Sequence, residues 1–182
     1  MQIDFKGYAG DCIVTGRLDL AAPRLTDMLN EHDAIQLGDV TLESLIDGAA
    51  VQVPSFTVRR DDLCAVRVNG PRGAQRLRVA TIVHRVQAQL GPYNVLGCLH
   101  TRPSDTILTS LGDRGAMLPL TDATIAYVVG GILEVRDVAV VLINRELASW
   151  VRDTESDAIV VAGAPLAGDG SPFAGGLVAK GY

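Results

Sequence analysis

Ala22-Pro23-Arg24-Leu25-Thr26-Asp27-Met28-Leu29-Asn30 is a short polar segment set between strand-like runs, and a degenerate copy of its surroundings returns about eighty residues later. Pro23 presets a helical φ, and Leu25, Met28 and Leu29 fall at the i, i+3, i+4 spacing that makes one face of a short helix apolar. Asn30 and the polar Glu31-His32-Asp33 close it. Upstream, Ile3 and Phe5 alternate with Asp4 and Lys6, the chain turns at Gly7 to Gly10, and Cys12 to Leu18 resumes, which reads as a two-stranded hairpin. Downstream, Ala34 to Ile46 reads as strand, kink at Gly38-Asp39, and strand again; Asp47-Gly48 is a turn pair. Val51 to Val58 follows, with Pro54 demoting that strand to an edge or a bulge. Leu63 to Val68 is one more strand, ended by Asn69-Gly70-Pro71-Arg72-Gly73.

A second strand run over Arg76 to Leu90 then turns at Gly91-Pro92, and Tyr93 to His100 aligns with Cys12 to Asp19 at an offset of 81. Val14 meets Val95, Gly16 meets Gly97 and Leu18 meets Leu99. An offset of 83 pairs Leu25 with Leu108, Leu37 with Leu120, Asp39 with Asp122 and Gly48 with Gly131, and an offset of 85 pairs Arg60 with Arg145, Val66 with Val151 and Arg67 with Arg152. The order of matches is kept, and each shift falls where a loop absorbs it. The chain is therefore expected to be mainly β: two pseudo-repeated small β modules, barrel- or sandwich-like, each with one short helix. Residues 1–70 and 75–152 form the modules, related by a pseudo-twofold axis, and 153–182 form a Gly/Ala-rich tail. If neither module covers its own apolar sheet face, stacking the two is the simplest way to bury both.

Composition narrows the functional classes. Of 182 residues 48% are hydrophobic but only 4% aromatic, so the core is aliphatic, and a net charge of −5 argues against general affinity for nucleic acid. Cys12, Cys64 and Cys98 are odd in number and widely spaced, which speaks for reduced thiols rather than disulfides or a zinc centre. The N-terminus lacks the apolar core of an export signal, and no apolar run reaches membrane-spanning length, so a cytoplasmic protein without membrane contact is expected. No G-x-S-x-G elbow, phosphate loop or metal-ligand spacing occurs, and neither catalytic residues nor metal nor cofactor is expected. His84 reads as a sheet residue facing solvent, while His100 sits at a strand end.

The remaining polar features fall in three places. Arg24, Asp27 and Asn30 recur at i, i+3, i+6 and form either a recognition ridge or a solvent-facing row with a C-terminal cap. Arg60 and Arg145 each follow a β run and precede an acid, which fits structural ion pairs or a paired anion site. In the tail, Ile159, Val160 and Val161 make a short strand able to add to a sheet edge of this chain or a neighbour.

The P-R-L-T-D-M-L-N segment and the Leu142-Ile143-Asn144-Arg145 strand end resemble bacterial small-β-barrel proteins that carry an R-L-[ST]-D-x-L-N stretch and are loosely similar to Sm-like barrels. In the second half the stretch has become I-L-T-S-L-G-D. That resemblance implies ring or pair assembly and sometimes RNA binding; the acidic balance and the shortage of stacking aromatics oppose RNA. The expected function is a non-enzymatic binding or assembly subunit, a homo-oligomer associating through sheet faces, edges and the tail. The alternative is a regulatory module that binds a small anionic ligand or nucleic acid through Arg24, Arg60, Arg102 and Arg145.

Overall fold

Two-residue alternation and turn glycines give ten strands of one antiparallel sheet. The computed structural model describes residues 1–69, 80–112, 114–155, 158–161 and 177–180. The Gly70 to Gly73 boundary and Leu77 and Val79 of the expected strand lie outside the described residues. The first half holds β1 (Gln2–Ala9), β2 (Cys12–Asp19), α1 (Leu25–Glu31), β3 (Ala34–Ser44), β4 (Ala50–Arg59) and β5 (Leu63–Arg67). The second holds β6 (Ile82–Leu90), β7 (Tyr93–Thr101), α2 (Ile107–Gly112), β8 (Met117–Val129), β9 (Ile132–Asn144) and β10 (Ala148–Asp153). Hydrogen-bonded neighbours run β10-β6-β7-β8-β9-β5-β1-β2-β3-β4. Each half thus contributes the same order, β5-β1-β2-β3-β4 and β10-β6-β7-β8-β9.

The repeat extends to the irregularities. Between β2 and β3 the register passes from Thr15↔Thr41 to Arg17↔Gly38, and between β7 and β8 from Leu96↔Thr124 to Cys98↔Thr121. Each shift puts one extra residue on the longer strand. The bulges carry Asp39 and Asp122 at φ 49° and 46°, a left-handed conformation that Asp tolerates better than most residues. The second bulge also recurs: Tyr8↔Ala65 passes to Ala9↔Leu63, and Gln89↔Trp150 to Leu90↔Ala148.

Among the described residues two large apolar clusters fill the interior, each borrowing from the other half, and a small third one holds Leu96 and Ala126 of the second half. The larger of the two holds Val86, Leu90, Tyr93, Val95, Ile125, Val141 and Ile143 of the second half together with Tyr8, Ile13, Cys64 and Ala65 of the first. The other holds Phe5, Val14, Leu18, Leu25, Leu29, Leu37 and Val66 with Met117 and Leu142 of the second half. Tyr93 Oη donates to Ala9 O at 2.6 Å across this boundary.

Two expectations are corrected. The small barrel implied by the resemblance is not formed, because the sheet is not closed. The outer edge of β5, which a closed module would turn toward β4, is taken by β9, leaving β4 and β10 as the sheet's two ends. The pseudo-twofold relation fails for the same reason. A two-fold that swapped the halves would turn the β5·β9 pair into a β10·β4 pair within the chain, and that pair is absent. The halves are joined head to tail. In the tail, β11 (Ala158–Val161) pairs with β12 (Leu177–Lys180) in a separate antiparallel ribbon, from Ala158↔Lys180 to Val161↔Leu177. It lies against β7 and β8 rather than extending an edge.

Candidate assembly interface

The joint between the halves shows what a covered edge looks like in this protein. Ala65, Val66 and Arg67 of β5 lie opposite Ile143, Leu142 and Val141 of β9, and Val68 N–H donates to Val140 O at 3.1 Å. Ala65, Val66, Val141 and Leu142 are all 0% exposed. Asn144 closes the joint: its Nδ2 donates to Arg60 O at 3.2 Å, and its Oδ1 accepts from Glu146 N–H at 3.1 Å.

The free edges carry the repeat-equivalents of these residues. On β4 they are Phe56, Thr57 and Val58; on β10 they are Trp150, Val151 and Arg152. Phe56 and Trp150 are each 39% exposed, against 0% for Val141 and Ala65, their counterparts in the joint. Pro54 lies on β4, so its demotion to an edge strand holds. Beside β4 opens a groove of about 740 Å³ whose lining includes Cys12, Val14, Leu42, Phe56 and Val58. Burial pushes the Cys64 thiol up, and burial with the neighbouring Asp11 pushes Cys12 up to about 11. Both therefore stay protonated at neutral pH and behave as apolar lining rather than as nucleophiles.

The β10 edge is stiffened from beneath by side-chain amides. Arg152 Nη2 donates to Gln87 Oε1 at 2.6 Å, Gln87 Nε2 to Asn94 Oδ1 at 2.7 Å, and Asn94 Nδ2 to Gln89 Oε1 at 2.9 Å. Gln87 and Asn94 are 1% exposed, and their mutual bonding meets the demand of buried amides. The Arg152 guanidinium lies 5.1 Å over the Trp150 ring, a cation–π contact that fixes the indole.

The sequence-predicted residues are distributed differently. Arg24 and Asp27 meet in a two-pronged ion pair, Nε to Oδ2 at 2.9 Å and Nη2 to Oδ1 at 2.8 Å, at the start of α1. Asn30 turns away from that row into the protein: its Nδ2 donates to Met117 O at 3.2 Å, and its Oδ1 accepts from Met117 N–H at 2.9 Å. Arg60 pairs with Asp33 at 3.1 Å and Asp61 at 3.3 Å. Arg145 Nη1 donates to the carbonyls of Leu111 and Gly112 at the end of α2. Arg102 is exposed. Among the described residues, no group of three or more His, Cys, Asp or Glu is placed to hold a metal, and no helix is long and apolar enough to cross a membrane.

His84 is half-buried, not solvent-facing, with Nε2 3.1 Å from Thr101 Oγ1; His100 is held between Thr81 and Thr121 at 3.2 and 2.8 Å. Sequence reasoning gave no site role to Phe56, Trp150 or Asn144. Two of them carried a signal, being large aromatics on strands of a chain with few aromatics.

No family model matches this chain, no curated protein matches it, and no solved structure matches it.

Proposed function

We propose that this protein is a non-enzymatic, cytoplasmic assembly subunit that self-associates through the open edges of its sheet. The observation that carries this reading is a contrast: at the inter-half joint Ala65, Val66, Val141 and Leu142 are buried, while among the described residues no strand pairs with the two equivalent edges, each of which shows a part-exposed aromatic side chain. An uncapped strand edge is a template for another strand, and a protein that stays monomeric blunts such edges with charge, prolines or bulges. Here β4 has Pro54 and β10 has a register shift between Ala148 and Trp150, but the run Ser55-Phe56-Thr57-Val58 beside Pro54 carries no charge. Against the ligand-binding alternative, Arg24 and Arg60 are held in ion pairs within the chain and Arg145 Nη1 donates to backbone carbonyls at the end of α2. The net charge of −5 also opposes binding to a polyanion.

Light scattering and sedimentation equilibrium over a dilution series test this reading. The expected result is a mass of at least two chains that falls on dilution. A single-chain mass at the highest soluble concentration would reject it.

A further inference from the structure

We infer that the β10 edge of one copy docks on the β4 edge of a second copy, head to tail, in the register that β5 and β9 use inside the chain. This rests on the self-association reading and names its contact. The argument is one of repetition. The step that carries the first half onto the second carries β5 onto β10 and β9 onto β4 of the next copy. Advancing Ala65↔Ile143, Val66↔Leu142 and Arg67↔Val141 by the repeat gives Trp150↔Val58, Val151↔Thr57 and Arg152↔Phe56 between copies. Such a contact is heterologous and uses one β4 and one β10 edge at each junction.

Two further observations agree with this register. The first is backbone parity. Arg60 N–H donates to Asp33 O at 2.8 Å, so by the alternation of an antiparallel ladder the even-numbered groups of β4 face β3, and Ser55, Thr57 and Arg59 face outward. Thr154 N–H donates to Arg85 O at 2.8 Å, so Val151 and Asp153 of β10 face outward in turn. The predicted register sets Val151 against Thr57 and Asp153 against Ser55, which matches donors to acceptors without a slip. Pro54 lies opposite Asp39 with its missing N–H on the β3 side, so the outward donors remain.

The second observation is the direction of the side chains. Ala65 belongs to β5 of the first half yet sits in the core of the second. Its equivalent, Trp150, would therefore enter the first half of the next copy, where the groove lined by Cys12, Val14, Leu42, Phe56 and Val58 stands open. The Arg152–Gln87–Asn94 chain holds the indole in place before contact, which lowers the entropy lost on docking.

The test uses full-length chains carrying either Thr57→Cys or Val151→Cys, with wild type as the background for the native thiols. Opposed residues in a hydrogen-bonded pair have Cα atoms about 5.5 Å apart, within reach of a disulfide. Mixed and mildly oxidised, the two variants are expected to give a covalent dimer containing one of each, and a Ser55→Cys chain mixed with Val151→Cys is not. A Trp150→Lys chain should keep the melting curve of the dilute protein and weaken association roughly thirtyfold or more, as loss of a central interface tryptophan does. A wild type that associates without the Thr57→Cys/Val151→Cys dimer and without sensitivity at Trp150 overturns this docking while leaving self-association standing. A wild type that is monomeric throughout overturns both.

Discussion

Tyr8, Tyr93 and Tyr127 meet where the halves join, with ring centroids 5.4 to 5.7 Å apart in edge-on and tilted packing. Burial pushes the Tyr8 hydroxyl up to about 12, with Tyr127 adding to the effect, and burial raises Tyr93 and Tyr127 as well. An acid whose folded pKa is raised holds its proton where the unfolded chain has lost it, so it contributes stability below pH 10 that disappears as pH climbs. Unfolding free energy should therefore begin to fall at about pH 9, where the unfolded chain's cysteines ionise while buried Cys12 and Cys64 keep their protons, and fall more steeply between about pH 10 and pH 12, where each buried tyrosine adds up to about 1.4 kcal/mol per pH unit. Urea titrations at stepped alkaline pH measure this, and Tyr8→Phe should shallow the decline. At this scale the sequence was only partly legible. The Arg24–Asp27 pair follows from i, i+3 spacing, but Asn30 sits one turn further on and was grouped with it. Met117, its actual partner, is eighty-seven residues away, beyond anything helical spacing can indicate. Gly115 makes room for that contact, since a Cβ there would stand 2.4 Å from Asn30 Cγ.

Among the elements, the paired bulges show how a repeat fixes geometry. Gly16 and Gly97 lie opposite the extra residue in each half. A Cβ on Gly97 would come within 3.0 Å of Leu120 Cβ and 3.1 Å of Ala123 Cβ, and one on Gly16 within 3.0 Å of Gly38 O. These neighbours are backbone or backbone-anchored atoms and cannot swing aside. Gly97→Ala is expected to cost about 1–3 kcal/mol, the usual price of overpacking, read as a lower denaturation midpoint at unchanged m-value. The alignment of Gly16 with Gly97 and Asp39 with Asp122 was visible as letters, and the kink at Gly38-Asp39 was expected. The bulge itself was not, because it depends on how β2 and β3 pair.

Across the whole molecule the two halves do not have separate interiors. The second half's cluster needs Tyr8, Ile13 and Ala65, and the first half's needs Met117 and Leu142. Unfolding should therefore be one transition: far-UV circular dichroism and Trp150 fluorescence should give coincident curves, with calorimetric and van't Hoff enthalpies equal. Two separated transitions would mean that the halves are independent after all. By itself the sequence determined the mainly-β class, a short helix in each half, the edge-or-bulge character of the strand that holds Pro54, and the doubling of the unit. Periodicity, turn residues and a strand proline act over a few neighbouring positions, and the repeat preserves them. Only the tertiary structure decided that β5 meets β9, that the sheet stays open at β4 and β10, and that Asn30 locks onto β8. Alternating residues write the same pattern for a closed barrel as for an open sheet. Which distant edges pair is set by the shared core, not by any local signal.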